Sequence, residues 1–164
     1  MMRNRQSSSP LLNGIALFLL MLITGVFWGT WFTLTRSLTE FPAPEFIHIG
    51  KAIIANVAMP MRFLMSGGIL LMAIAVWLAR KNGAPRFYLG ILSVILIIAV
   101  LLITLLVLVP LDNNIKTWTE ATVPADFDSI RAKWKSYHAA RTFLSVASFA
   151  CFSAFLLMEN KSTR

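Results

Sequence analysis

Charge is what this sequence has least of. Only 13% of its 164 residues are charged against 57% apolar, and the mean hydropathy is +0.72. A water-soluble fold of this size does not hide that much hydrocarbon, so a purely soluble protein is excluded. There is one cysteine, Cys151, and it lies inside an apolar run. No intrachain disulfide is possible, and so desolvated a thiol is poorly placed for redox or nucleophilic chemistry; a buried structural role is expected. Only two histidines occur and no apolar run carries a carboxylate pair, so the ligand set of a zinc or di-metal centre is missing. Internal repeats are absent too. Bases outnumber acids, fifteen to seven, for a net charge of +8. They sit in short clusters beside apolar runs, which is a membrane-topology pattern, and no nucleic-acid partner is expected.

What is present is four long apolar runs. Residues 11–35 carry no charge at all, and at 1.5 Å per helical residue they cross roughly 30 Å of hydrocarbon. Arg3 and Arg5 precede this run, but its length and the lack of a small-residue cleavage pattern make it an uncleaved signal anchor. The other spans are expected at 61–79, entered through Pro60 with Arg62 at its start, at 87–109, closed by Pro110, and at 142–158. The connection between the second and third holds Arg80, Lys81 and Arg86 without an acid, so it is expected in the cytoplasm with both termini. Segments 36–60 and 110–141 then fall outside, and their bases are largely balanced by acids. Gly25 and Gly29 form a small-xxx-small pair in the first span, which predicts a helix-packing contact or, secondarily, a dimer interface. The fold expected is one all-α membrane domain over 1–164, a four-helix bundle with an amphipathic helical cap.

The polar chemistry gathers in the two outer segments. Residues 45–59 have helical periodicity, with Phe46, Ile49, Ile53 and Val57 on one face and Glu45, His48, Lys51 and Ala52 on the other. This stretch lies along the interface or leans over the bundle mouth as an extension of the second span, kinked at Pro60. In the second segment Pro124 suits the first turn of a helix, with Thr122 as cap and Asp126 and Asp128 at its positive end. From there Arg131, Trp134, His138, Arg141 and Ser145 follow at spacings of three, four, three and four. At 100° per residue they share an arc of about 80°, one stripe that brings two guanidinium groups, an imidazole and an indole to the membrane boundary. A charge inside a span costs about 2.5–3.5 kcal/mol, so Arg141 is expected to face protein or trapped water. Lys133 and Lys135 read as lipid-headgroup anchors.

These residues resemble the anthrone-oxygenase-like family of small four-helix membrane proteins. The likeness rests on VFWGTWFTLTRSL, IGKAIIANVAMPMR, VPLDNNIKTW, VPADF and IRAKWKSYHAARTF, which together span most of the chain. Family members carry a Pro, an amide two residues on, a Trp, and an Arg-Trp-His-Arg series; the matching positions are Pro110, Asp112, Trp118, Arg131, Trp134, His138 and Arg141. The sequence departs at Asp112, where many members have Asn, and at Phe127, where many have Trp; Asn113 or Asn114 could supply the amide instead. The resemblance implies a pocket for a hydrophobic small molecule at the outer face and oxidation of an activated methylene to a quinone-type carbonyl. His138 would act as base and Arg141 or Arg131 would hold an oxyanion. Trp134, Asp112, Asn114, Trp118 and His48 would contact the substrate.

Two competing classes follow from the same residues. His48 and His138 both precede spans that could pack together, the arrangement a bis-histidine haem requires. Alternatively the chain is a non-enzymatic membrane subunit, with a membrane-protein partner or a second copy of itself on its aromatic and basic rim. The lipid bilayer is the partner common to every reading, and a bacterial inner membrane is the location expected.

Overall fold

The computed structural model describes residues 9–81 and 83–158. Arg3 and Arg5, which precede the first apolar run, and the last residues of the chain, 159–164, lie outside them. Helix α1 (Pro10–Thr33) opens on a proline, whose missing N–H is no loss in a first turn. A 3-10 segment, Thr35–Glu40, leads to α2 (Ala43–Leu78), and a turn through Gly83, at φ 104°, leads to α3 (Ala84–Ile103). A π turn, Thr104–Leu108, joins α3 to α4 (Val109–Thr117), and α5 (Phe127–Leu157) completes the chain. No strand occurs among the described residues. The protein is an all-helical, multi-pass membrane protein with four helices long and apolar enough to cross a bilayer.

Two prolines expected to mark boundaries do not end helices. α2 runs unbroken through Pro60 for 36 residues, about 54 Å, so residues 45–59 extend the second span beyond the membrane. The third span was expected to close at Pro110, but the helix continues to Thr117. The π turn explains this. The Val109 N–H reaches back to the Thr104 carbonyl, and the widened turn delivers Pro110 into the first turn of α4, where a residue without an N–H is tolerated. The start of α5 also differs from the expected cap at Thr122. That hydroxyl accepts from the Thr119 N–H at 2.8 Å inside a separate 3-10 turn, Glu120–Thr122, and the helix begins only after Asp126.

The four long rods close into an up-down-up-down ring in which α5 packs on α1 and α3, and α2 packs on α1 and, more lightly, on α3. Gly90 sets the closest approach: a Cβ there would stand 2.7 Å from a Val76 methyl and 3.1 Å from the Phe155 ring. Gly68 plays the same part against Ile23. Gly25 and Gly29 do not make the intramolecular contact expected of them, because nothing lies within 4 Å of where their side chains would begin. Large apolar side chains such as Leu11, Phe63 and Leu106 stand two-thirds or more exposed around the ring, the surface hydrocarbon tails solvate. Inside are two cores. One, near the 79–83 turn, is built from Leu20, Ile23, Met72, Ile97, Phe152 and Phe155; the other, at the cap end, from Leu38, Phe46, Ile54, Ile115, Trp118 and Trp134.

Candidate functional site

The stripe on α5 faces inward. Trp134 and His138 are almost fully buried, at 3% and 4% exposure. Counting about twenty residues per crossing upward from Leu157 puts His138 at the membrane boundary and Arg141 roughly one turn inside it. The indole of Trp134 donates from Nε1 to Asp112 Oδ1 at 2.9 Å and stacks on the His138 ring, with centroids 3.5 Å apart and planes inclined by 29°. On the imidazole's other contact, Arg141 Nη2 lies 3.0 Å from Nδ1 and 3.3 Å from Nε2. Arginine only donates, so the ring nitrogen that accepts carries no proton and the imidazole in this arrangement is neutral. The guanidinium carbon of Arg141 sits 4.4 Å from the centroid of the Phe27 ring, a cation–π contact worth about 2 kcal/mol where water is excluded.

The result is a continuous series, Asp112, Trp134, His138, Arg141 and Phe27, drawn from α4, α5 and α1. One donor in it is unsatisfied: Arg141 Nε is buried and has no hydrogen-bond partner. Leaving a charged donor unpaired is expensive, by about 1–3 kcal/mol or more, and native structures accept it mainly where something else completes the bond. Chemically, the series offers a neutral imidazole beside a fixed cation in a water-poor place.

The remaining expected site residues divide. Asp112, not Asn113 or Asn114, points to the indole; both asparagines are exposed, with Asn113 Oδ1 taking the Lys116 ammonium at 3.2 Å. Trp118 is buried, but its ring packs on Phe127 and its carbonyl accepts from Lys51 Nζ at 2.7 Å, a tie between α2 and α4. Arg131 spends its guanidinium on the loop: Nη1 donates to the Phe41 carbonyl at 2.9 Å and Nη2 to Asp128 at 2.6 Å, while its carbon lies over Phe127. It latches residues 38–41 to α5. His48 is exposed on α2 and His138 is enclosed by Trp134 and Arg141, so the two imidazoles do not form an axial pair for haem. Among the described residues no group of three His, Cys, Asp or Glu side chains could hold a metal ion.

Phe27 and Lys51 were not picked out from the sequence. Phe27 lies in a helix that is apolar on every side, where periodicity marks no face. Lys51 fell on the nominally polar side of α2, and only its reach to the Trp118 carbonyl half-buries it.

The family model for anthrone oxygenase matches residues 53–151, more than half of the chain. This protein belongs to the anthrone oxygenase family. The matched stretch takes in α3, α4 and the whole Asp112, Trp134, His138 and Arg141 series, and leaves out His48 and Phe27. No curated protein matches the chain, and no solved structure does.

Proposed function

We propose that the protein oxidises a small hydrophobic aromatic molecule at the cap end of the bundle, by an oxygenase-type reaction that needs no resident cofactor. The observation that carries this reading is the buried, unpaired Nε of half-buried Arg141 beside a neutral imidazole. A substrate oxygen binding at Arg141 completes the missing hydrogen bond. As Arg141 turns its donors to that oxygen, the ring nitrogen of His138 it had occupied is freed and removes a proton from the methylene conjugated to the carbonyl through the flanking rings, and the charge that develops on oxygen is held by the guanidinium. The resulting enolate carbon gives its electron pair to dioxygen, forming a C–O bond and, after protonation, a hydroperoxide. Loss of water leaves the new carbonyl. The balance is CH2 + O2 → C=O + H2O, with the methylene oxidised and dioxygen reduced. Membership of the anthrone oxygenase family supports the reaction class.

The topology that fits this reading puts the 79–83 turn, with Arg80, Lys81 and Arg86 around it, and both termini on the cytoplasmic side of a bacterial inner membrane. The stack then lies at the outer face, with the bilayer as the reservoir of hydrophobic substrate.

The test is aerobic turnover of anthrone by the protein in liposomes, followed as anthraquinone formation, with native mass spectrometry for copurifying small molecules. Turnover lost in His138→Ala and Arg141→Gln supports the reading; full binding and turnover in His138→Ala end it. A second reading, a non-enzymatic membrane subunit or homo-oligomer, is favoured by one feature, the open outward face of α1 at Gly25 and Gly29 beside exposed Trp28 and Phe32. A protein partner in the mass spectrum, with nothing small attached, favours that alternative.

A further inference from the structure

At the cap end of the bundle most cationic side chains are already engaged. Arg131 is held by Asp128 and the Phe41 carbonyl, Arg141 by His138, Lys51 by the Trp118 carbonyl and Lys116 by Asn113. Arg36 differs. It is exposed, and its guanidinium carbon lies 5.8 Å from the centroid of the Trp31 ring and 5.4 Å from that of Phe32. Among the described residues its side chain makes no hydrogen bond and no ion pair, not even with Glu40 four residues on. Lys135 reaches the same place from α5, donating from Nζ to the Arg36 carbonyl at 3.2 Å with one of its three ammonium donors. Below these two cations the outward faces of α1 and α5 meet in a cluster of rings. Trp31 touches Phe143 across the seam at 5.0 Å, and Trp28 lies 5.3 Å from Trp31, 6.1 Å from Phe32 and 6.5 Å from Phe143. Trp28, Phe32 and Phe143 nevertheless remain about half exposed.

We propose that this seam between α1 and α5 is a site for one anionic phospholipid, whose phosphate is held by Arg36 and Lys135 and whose glycerol and upper acyl chain lie on the rings. Charge is the first support. Two cations from two helices stand together without an acid to neutralise them, and a guanidinium offers phosphate oxygens paired N–H donors. A zwitterionic headgroup brings a further cation that Lys135 repels, so a net negative lipid is preferred. Height is the second. At 1.5 Å per residue Trp28 stands about 27 Å above Pro10 and Phe143 about 21 Å above Leu157, inside the last part of the roughly 30 Å hydrocarbon layer. Lys135, about 33 Å above Leu157, and Arg36, past the end of α1, fall at the headgroups. Rings below and cations above is the order in which a phospholipid presents its own parts. A lipid seated there bridges the 36–41 segment to α5, adding to the latch made by Arg131. The site does not depend on the oxygenase reading.

Quenching by brominated lipid tests it. The protein carrying Trp77→Phe is placed in liposomes, which leaves Trp28 and Trp31 as the lipid-facing indoles because Trp118 and Trp134 are buried. Liposomes mix phosphatidylglycerol and phosphatidylcholine, with bromine on the upper acyl chain of one or the other, and the ratio of quenching gives the relative affinity at the seam. Phosphatidylglycerol is favoured by about tenfold or more, and Arg36→Gln and Lys135→Gln each lower that ratio by about fivefold, the contribution of one base near a membrane surface. Arg36→Lys keeps most of it. Arg62→Gln, which removes an exposed base on α2 that meets no ring, leaves it unchanged. Equal quenching by the two lipids overturns the proposal, as does a ratio that survives loss of both Arg36 and Lys135. An equal fall in Arg62→Gln also overturns it, by reducing the effect to general surface charge. Quenching by neither lipid means that protein covers the seam, which overturns it in favour of a second copy or a partner subunit.

Discussion

The two halves of the bundle solve opposite problems with the same four rods. Toward the 79–83 turn, helix packing is dry and, apart from the buried, unpartnered Ser93 hydroxyl, the polar groups turn on the backbone: Ser148 Oγ donates to the Ser93 carbonyl at 2.8 Å, Ser145 Oγ to the Thr142 carbonyl, and Arg86 Nε to the Phe155 carbonyl at 3.0 Å. Toward the cap, polar side chains meet one another instead, from Asp112 through Trp134 and His138 to Arg141. Between chains packed in hydrocarbon, an apolar rod gains little from association that lipid does not also give, so close contact at glycines such as Gly90 sets the geometry. A buried network of ionisable groups, by contrast, is tolerated only where its members satisfy each other or await a ligand. The half packed by close helix contact and the half that buries the polar series are thus different stretches of the same helices.

The sharpest way to break that comparison is to remove the base. His138→Ala lowers anthrone turnover by about 10²–10⁴, whereas Ser148→Ala, about three helical turns deeper, leaves turnover unchanged; both are read from anthraquinone formation in liposomes. Next in size is an attack on the dry half. Gly90→Leu drives a side chain into Val76 and Phe155 and destabilises by about 1–3 kcal/mol or more, seen as a lower unfolding temperature in detergent. Asp112→Ala falls in a similar range, about 1–3 kcal/mol, because the buried Trp134 N–H loses its acceptor. Asp112→Asn restores most of that stability by returning an oxygen to the same place, and a failure to do so assigns the requirement to charge. Arg131→Ala has a smaller effect: its Asp128 partner is 84% exposed, so that ion pair contributes about 0–1 kcal/mol. Its main consequence is a loosened 36–41 segment, detected as faster limited proteolysis there. The smallest effect is Gly25→Leu, which leaves the monomer's unfolding temperature unchanged because open space receives the side chain; a marked change in oligomeric state would favour the subunit reading.

The four spans were legible in the sequence because a bilayer imposes a length and a composition that few other constraints mimic. The stripe on α5 was legible for a similar reason, since its residues repeat at helical spacing and stand out against an apolar background. Helix ends at proline were less so. Pro60 and Pro110 are each compatible with a stop, a kink or a first turn, and a π turn that reaches from Val109 to Thr104 leaves no mark in the residues themselves. Arg131 and Arg141 look alike by position, one guanidinium each on the same stripe. The loop carbonyls of Leu38 and Phe41 engage the first, and the Phe27 ring underlies the second.

Sequence alone determined that this chain crosses a membrane four times, where its polar residues cluster and which face of the last helix bears them, because those properties depend on local spacing and transfer energies. Only the tertiary structure decided which partners meet. Asp112 and Trp134 are joined across 22 positions, Thr142 reaches the Phe27 carbonyl across 115, and Gly50 stands against Ile115, contacts created by the ring of helices closing. Helical periodicity says which way a side chain points. What it points at depends on the neighbouring rod, whose register is set by close approach at a few glycines and by interhelical hydrogen bonds.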